Sequence, residues 1–496
     1  MSRYILALDQ GTSSARAILF DKNGRIVGAH QAAFPQIYPK PGWVEHDAFV
    51  LWETQLSVAR QAIASSGISH TDIAAIGISN QRETTILWDK ATGQPVYPAI
   101  VWQDRRTAAA MEQLKAQGLA ALFQQKTGLR LDAYFSASKI QWILENVPAC
   151  RTLLKSNQLA FGTVDSWLIW NLSEGQAHVT DVSNASRTLL FNIHEGDWDD
   201  ALLAIMRIPR QILPQVVASS GVCAHASAAM FGVPIPIAGV AGDQQAATFG
   251  NLCLKPGMVK NTYGTGAFLV MQTGTTALTS QHQLLTSIAW DIQNVRHYCL
   301  EGSVFVAGAL ISWLKNELQL IRQASEIETL AATVPDNGGV YIVPALTGLG
   351  APYWDPEVKG SILGISRGTR RAHIARAALE SLAFQVYDVA HAMQQDAPYP
   401  MTVLRVDGGA ARNDLLLQFQ ADLLNITVEC PDNVELTALG AAFLAGLGVG
   451  FWASIASLEA LWTCNRRFVP AMQPEVREAL LHRWHQAVRA TQSFGG

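Results

Sequence analysis

Two glycine turns that carry hydroxyl side chains, each clasped between apolar strands, recur half a chain apart. The first follows the apolar run Tyr4 to Leu8. Gln10 to Ser14 is polar, Ala17 to Phe20 is apolar again, and Asn23-Gly24, a favoured two-residue hairpin turn, leads into Arg25 to Ala29. The second lies within Met258 to Gln272, where Val259-Lys-Asn-Thr-Tyr263 breaks at Gly264-Thr265-Gly266 and resumes as Ala267-Phe-Leu-Val-Met271. The recurrence reads as an internal repeat, two lobes built on one plan, with the boundary near residues 246–256.

Between and beyond the turns, helix and strand patterns alternate. Trp52 to Ser65 has helical apolar spacing, Ile73 to Ser79 reads as a buried strand, and Thr84 to Trp88 as a strand returning from a polar turn. His373 to Gln394 reads as a long amphipathic helix, and Val403 to Leu417 as strand, turn and helix. This is an α/β pattern, and 496 residues exceed one ordinary core, so two large domains are expected. Hydrophobic residues make up 49% and charged residues 15%, which excludes a disordered chain.

The net charge is −4 with Lys and Arg scattered, so no basic stripe exists to track nucleic acid. The six cysteines are far apart and form no C-x-x-C pair, which reads as reduced thiols rather than a disulfide or zinc framework. The first residues enter a strand without a secretory pattern, and a cytoplasmic location is expected. Ala438 to Ser457 carries no charge and is about long enough to span a bilayer. Gly446, Gly448 and Gly450 on alternate residues and the lack of flanking Lys or Arg favour a buried helix ending in a glycine-rich turn instead.

The first turn, Asp9-Gln-Gly-Thr-Ser-Ser-Ala-Arg16, offers what a phosphate and magnesium site needs. Backbone N–H groups and hydroxyls can donate to phosphate oxygens, Arg16 can neutralise charge, and Asp9 can hold a cation. An ordinary turn accounts for the same residues equally well. No G-x-x-x-x-G-K-[ST] occurs, and no G-x-G-x-x-G follows a strand, so the chain is neither a P-loop enzyme nor a protein kinase. Gly408 and Gly409, in Val406-Asp-Gly-Gly-Ala-Ala-Arg-Asn413, can let a flat base lie against backbone or can simply turn a strand into a helix. Asp243, ahead of a helix, reads either as an N-cap or as a base that accepts a hydroxyl proton. Arg82-Glu83, Trp102-Gln-Asp-Arg-Arg106 and Asp132-Ala-Tyr134 mix charged and aromatic groups suited to a small polyol, or form a structural ion pair at a turn.

Eight segments occur in order. They are Pro41-Gly-Trp-Val-Glu-His-Asp47, Asn80-Gln-Arg-Glu-Thr84, Trp102 to Arg106, Phe161-Gly-Thr-Val-Asp-Ser-Trp167, Ser183-Asn-Ala-Ser-Arg-Thr188, Gly242-Asp-Gln-Gln245, Asn261-Thr-Tyr-Gly-Thr-Gly266 and Thr347-Gly-Leu-Gly-Ala-Pro-Tyr-Trp-Asp-Pro356. Together they resemble the FGGY carbohydrate kinase family, from about residue 4 to about residue 452. The resemblance implies a two-lobed actin/hexokinase-like (ribonuclease H-like) α/β fold. Residues 1–250 would bind glycerol and phosphate, residues 251–496 would bind the adenine nucleotide, and the active site would lie in the cleft between them.

It further implies ATP and Mg2+ as cofactors, glycerol as phosphoryl acceptor, and a homodimer or homotetramer. Carried over by position, Thr12, Ser13, Ser14 and Arg16 would meet the nucleotide phosphates, with Thr265, Gly308, Gly409 and Asn413 facing it from the second lobe. Asp9 and Asp243 would lie near magnesium. Arg82, Glu83, Tyr134, Asp243 and Gln244 would bind the acceptor hydroxyls, Trp102 and Phe268 would pack on its carbon edge, and Asp243 would be the general base. Ser312 stands where the family commonly has Gln, which changes its reach toward nucleotide. Ala228-Ala-Met-Phe-Gly-Val-Pro234 replaces the Gly-Gly-Thr-Arg with which some relatives bind fructose 1,6-bisphosphate, so inhibition by that compound is not expected.

Overall fold

The computed structural model describes residues 3–355, 357–431 and 435–495; Pro356, the last residue of one family segment, lies outside them. Thirteen strands form one continuous sheet. In chain order they are β1 (Tyr4–Gln10), β2 (Ser14–Phe20), β3 (Ile26–Ala33), β4 (Ile73–Asn80), β5 (Ser220–Ala226) and β6 (Ile235–Gly242) from the first half. The second half supplies β7 (Met258–Tyr263), β8 (Ala267–Gly274), β9 (Leu285–Ile292), β10 (Val295–Val304), β11 (Val403–Gly408), β12 (Val428–Pro431) and β13 (Cys464–Phe468).

The internal repeat is visible in the pairing. β1 runs antiparallel to β2 and parallel to β4, β2 antiparallel to β3, and β4 parallel to β6. β7 repeats this with β8, β10, β11 and β12: antiparallel to β8, which is antiparallel to β10, and parallel to β11, which is parallel to β12. The two units meet where β5 pairs with β9 through Ser220 and Ile292. In each unit the glycine turn joins the first strand to its antiparallel partner, so both turns fall at the carboxyl ends of β1 and β7, where open α/β sheets bind ligands.

Six helices matter for the site: α1 (Ala48–Ser66), α2 (Asp243–Gly250), α3 (Gly308–Asn316), α4 (Arg371–Asp396), α5 (Asp414–Leu424) and α6 (Leu436–Gly448). Asp47 caps α1 by accepting from the Phe49 and Val50 N–H groups, and Gly67, with φ +69°, ends it. The charge-free run from Ala438 is α6, a buried helix, and among the described residues no helix is long and apolar enough to cross a membrane. Although α6 comes from the second half, it packs on first-half strands. Leu436, Leu439, Phe443 and Leu444 join Ile5, Ala7, Ile18, Ala75 and Ala241 in one core, each large side chain contributing roughly 1.5–3 kcal/mol. The second half has its own core around α4, α5 and the strands β7, β8 and β11.

Candidate active site

Both turns are built as the strand pattern requires. In the first, the Gly11 N–H donates to the Ser14 carbonyl at 3.0 Å, and Asp9 stands opposite Arg16 in the register of β1 and β2. In the second, the Gly264 N–H donates to the Gly266 carbonyl at 2.8 Å, while the Ala307 and Gly308 N–H groups donate to Thr265 and Gly264 carbonyls at 2.9 and 3.0 Å. Gly308 therefore opens α3 directly against the Thr265 turn. Gly408 ends β11 with φ +89°, and a Cβ there would lie 2.3 Å from the Tyr263 carbonyl, so only glycine lets β11 and β7 end side by side. At Gly409 a Cβ would meet nothing within 4 Å, which leaves open space over the backbone.

β4 ends at Asn80, and the turn after it carries Arg82 and Glu83, both buried. Glu83 holds φ +57°, the left-handed region that a long side chain occupies only when its surroundings insist. Here the Ser136 and Thr85 hydroxyls donate to its carbonyl at 2.9 and 3.0 Å, and the Arg187 Nε donates to its carboxylate at 2.6 Å. The expected Arg82 and Glu83 ion pair is loose, at 3.9 Å. Arg82 instead lies 3.2 Å from Asp243 and donates through Nη1 to Glu301 at 2.7 Å and to Gln245 at 3.1 Å. Burial works against a charged Glu301, but Arg187 and Arg82 outweigh it and hold the carboxyl down at about 2.

Asp243 is the first residue of α2, and Gly242 occupies the cap position, so Asp243 is not the N-cap that a strand-to-helix junction suggests. Its Oδ1 accepts from the Gln244 N–H at 2.7 Å. Burial raises its proton affinity and Arg82 opposes that rise, leaving a carboxylate with an above-ordinary affinity for a hydroxyl proton. Burial also pushes Asp9 up to about 6, with Arg16 opposing and Asp243 and Glu435 adding to it. Arg16 itself pairs with Glu435 across the two halves of the chain.

Trp102 and Tyr134 form an edge-to-face pair with centroids 5.5 Å apart, and the Trp102 Nε1 donates to the Thr12 hydroxyl at 3.0 Å, which ties the aromatic wall to the first turn. Arg187 stacks over Tyr134 at 5.5 Å. Lys139, fully buried, donates to the carbonyls of Ala133, Tyr134 and Phe135 and so pins the segment that carries Tyr134.

The structure thus joins Arg82, Glu83, Asp243, Trp102, Tyr134 and Thr12 through named contacts, with Arg187 bridging Glu83 and Tyr134, and Gln244 joins them through its N–H to Asp243. Phe268 is half-buried on β8, opposite Thr262. Ser14 accepts from Gln31 at 2.9 Å, and Ser13, exposed, gives its carbonyl to the Phe34 N–H. Asn413 spends its side-chain oxygen capping α5 at 2.8 Å, its amide N–H groups having no partner among the described residues, and Ser312 is exposed on α3. Arg187 and Gln245 lie in two of the family segments but were given no site role from sequence, and Glu301, Lys139 and Lys260 were not singled out at all. Glu301 and Lys260 do leave a trace there, as charges directly following apolar residues inside strands, after Cys299-Leu300 and Met258-Val259.

A buried ion network beside two hydroxyl-bearing turns, on a duplicated ribonuclease H-like plan, is the architecture of a phosphotransferase. Residues 4–250 match the N-terminal domain of the FGGY family of carbohydrate kinases, and residues 259–449 match its C-terminal domain. The glycerol kinase of Janthinobacterium sp. (strain Marseille) is 57% identical over 498 residues, covering 100% of both chains. That of Dechloromonas aromatica (strain RCB) is 58% identical over 486 residues, covering 98% of this chain and 97% of its own. The crystal structure of Plasmodium falciparum glycerol kinase with ADP superposes with a TM-score of 0.93 at 35% identity, covering 98% of each chain. The chain belongs to the FGGY family of carbohydrate kinases.

Proposed function

We propose that this protein transfers the γ-phosphoryl group of ATP to a terminal hydroxyl of glycerol, forming sn-glycerol 3-phosphate, and that it does so in the cytoplasm. The observation that carries the reading is the placement of Asp243 at the start of α2, 3.2 Å from Arg82, beside Glu83 and the Trp102 and Tyr134 wall. The names of the full-length relatives support the same acceptor. The free cysteine thiols fit a reducing compartment.

Residues 1–250 and 251–496 act as the two lobes. Arg82 and Glu83 hydrogen-bond the acceptor hydroxyls, and the aromatic pair covers its C–H edge. Asp243 accepts the proton of the attacking hydroxyl. Its raised proton affinity suits that role, since a base works best near the operating pH. The N–H groups and hydroxyls of Thr12, Ser13, Ser14 and Thr265, with Arg16, take the phosphates, while Gly308, Gly409, Asn413 and Ser312 line the adenosine side. Because phosphoryl transfer asks mainly for positioning and charge neutralisation, preorganised donors supply most of the rate.

Among the described residues no three His, Cys, Asp or Glu side chains gather as a metal cage. Magnesium does not need one, since it keeps several waters and takes one or two carboxylates plus substrate phosphates. Asp9 and Asp243 are hard oxygen donors, Asp243 close enough to raise the proton affinity of Asp9, and they fit this demand. Bound there, the ion neutralises phosphate charge.

The test is ADP release from magnesium-ATP with and without glycerol, for the parent and Asp243→Asn. Turnover that needs glycerol and falls by about 10²–10⁴-fold in the variant is expected. Turnover indifferent to glycerol would overturn the assignment of the acceptor.

A further inference from the structure

Lys260 is fully buried on β7, on the same face of the strand as Thr262. A lysine head in such a place must give each of its N–H groups an acceptor. It has three: the Gln244 Oε1, the Thr262 hydroxyl at 3.1 Å and the Phe268 carbonyl at 3.3 Å. Burial lowers its proton affinity, and Asp407, Asp243 and Glu301 work to keep the proton on.

We propose that Lys260 is a positioning residue for the phosphoryl acceptor: by donating to Gln244 Oε1 it fixes the amide so that Nε2 presents its N–H groups to a substrate hydroxyl oxygen. The proposal rests on the reading that Asp243 and Gln244 face glycerol. The backbone of Gln244 is already fixed, its N–H donating to Asp243 at 2.7 Å and its carbonyl accepting from the Thr248 hydroxyl at 2.7 Å. What stays undetermined is which end of the amide faces the substrate. A glutamine offers a donor at one end and an acceptor at the other, so a free rotation would present either. An ammonium only donates, and it therefore accepts only the oxygen end as neighbour. Among the described residues Nε2 has no hydrogen-bond partner, and Gln244 is half-buried, which leaves that donor for a ligand. Lys260 comes from the second half of the chain and Gln244 from the first turn of α2, so the same contact also sets how the β7 strand stands against the helix that carries the base.

Steady-state kinetics on the full-length parent, Lys260→Met, Gln244→Leu and the double variant test this. Lys260→Met is expected to raise KM for glycerol about tenfold, the equivalent of one lost charge-assisted hydrogen bond, while KM for ATP stays within about twofold. Lys260→Gln, which keeps a donor on a shorter arm, should recover part of the loss. Because Lys260 acts through Gln244, the double variant should be no worse toward glycerol than Gln244→Leu alone. Multiplying effects in the double variant, or a Lys260→Met defect confined to kcat or to KM for ATP, would overturn the proposal. Parent turnover that ignores glycerol would instead overturn the functional reading, whatever Lys260 does. Thermal melts accompany each variant, and if Lys260→Met does not fold, the cycle is run with Lys260→Gln, where a smaller rise of the same sign is expected.

Discussion

Glu301 shows what a single carboxylate does when two guanidiniums share it. Arg82 Nη1 lies 2.7 Å and Arg187 Nη1 3.4 Å from the same oxygen, and all three side chains are at most 5% exposed. Without that charge the two arginines would face each other in a desolvated space. Glu301→Gln preserves the volume and removes the charge, so it should cost about 3–5 kcal/mol in urea unfolding and raise KM for glycerol through a displaced Arg82. An unchanged unfolding midpoint would mean that Glu83 and Asp243 suffice to hold both arginines. Arg82 and Glu83 were legible in the sequence because they sit together in one polar turn. Their true partners were not, because the Arg187 contact to Glu83 spans 104 positions and the Glu301 contact to Arg82 spans 219. Spacing along the chain carries no information about pairs that only the sheet brings together. The lone Glu301 among Tyr298, Cys299 and Leu300 signals that a buried partner exists without saying which.

At the scale of elements, the crossing of α2 and α6 ties the helix that bears Asp243 to the rest of the molecule. The crossing is closer than side chains allow: a Cβ on Gly440 would lie 1.8 Å from the Ala246 carbonyl. Gly440→Ala should therefore push α6 off α2 and cost at least about 3 kcal/mol, at the severe end of overpacking, read as a lower melting temperature by circular dichroism. Gly409→Ala is the contrasting case. With nothing within 4 Å of its new Cβ it should melt like the parent, and any defect should fall on KM for ATP. The helical nature of the run from Ala438 was legible, since alternate glycines and missing flanking charges argued against a membrane span. Its location was not. A helix apolar on every side has no face that points to one neighbour, so the sequence could not reveal that a segment of the second half covers strands of the first.

For the molecule as a whole, burying ionisable groups makes stability depend on pH, and opposite groups here work against each other. His46 and His178 are each lowered to about 4 by burial, so the unfolded chain binds their protons more tightly and stability rises with pH between about 4 and 6.5. Asp9 and Asp165 do the reverse. Burial, reinforced by Asp181, raises Asp165 from 3.8 to about 7 in the folded state. The folded chain then holds that proton more tightly, and the stability it brings is complete below 3.8 and lost as pH rises through about 7. These two pairs offset one another between about pH 4 and 6, and one substitution should expose the slope that a single member contributes. Asp165→Asn is suited to this. The Thr163 and Thr180 hydroxyls that donate to the carboxylate at 2.5 and 2.7 Å can rotate, and one of them can accept from the new amide. The variant's melting temperature relative to the parent should climb from about pH 4 to about pH 7 and then level off. A difference that stays constant across that range would mean that Asp165 does not titrate there in the folded protein. In that case the hydroxyls, rather than a retained proton, would be what makes a carboxyl tolerable in the core beside Asp181.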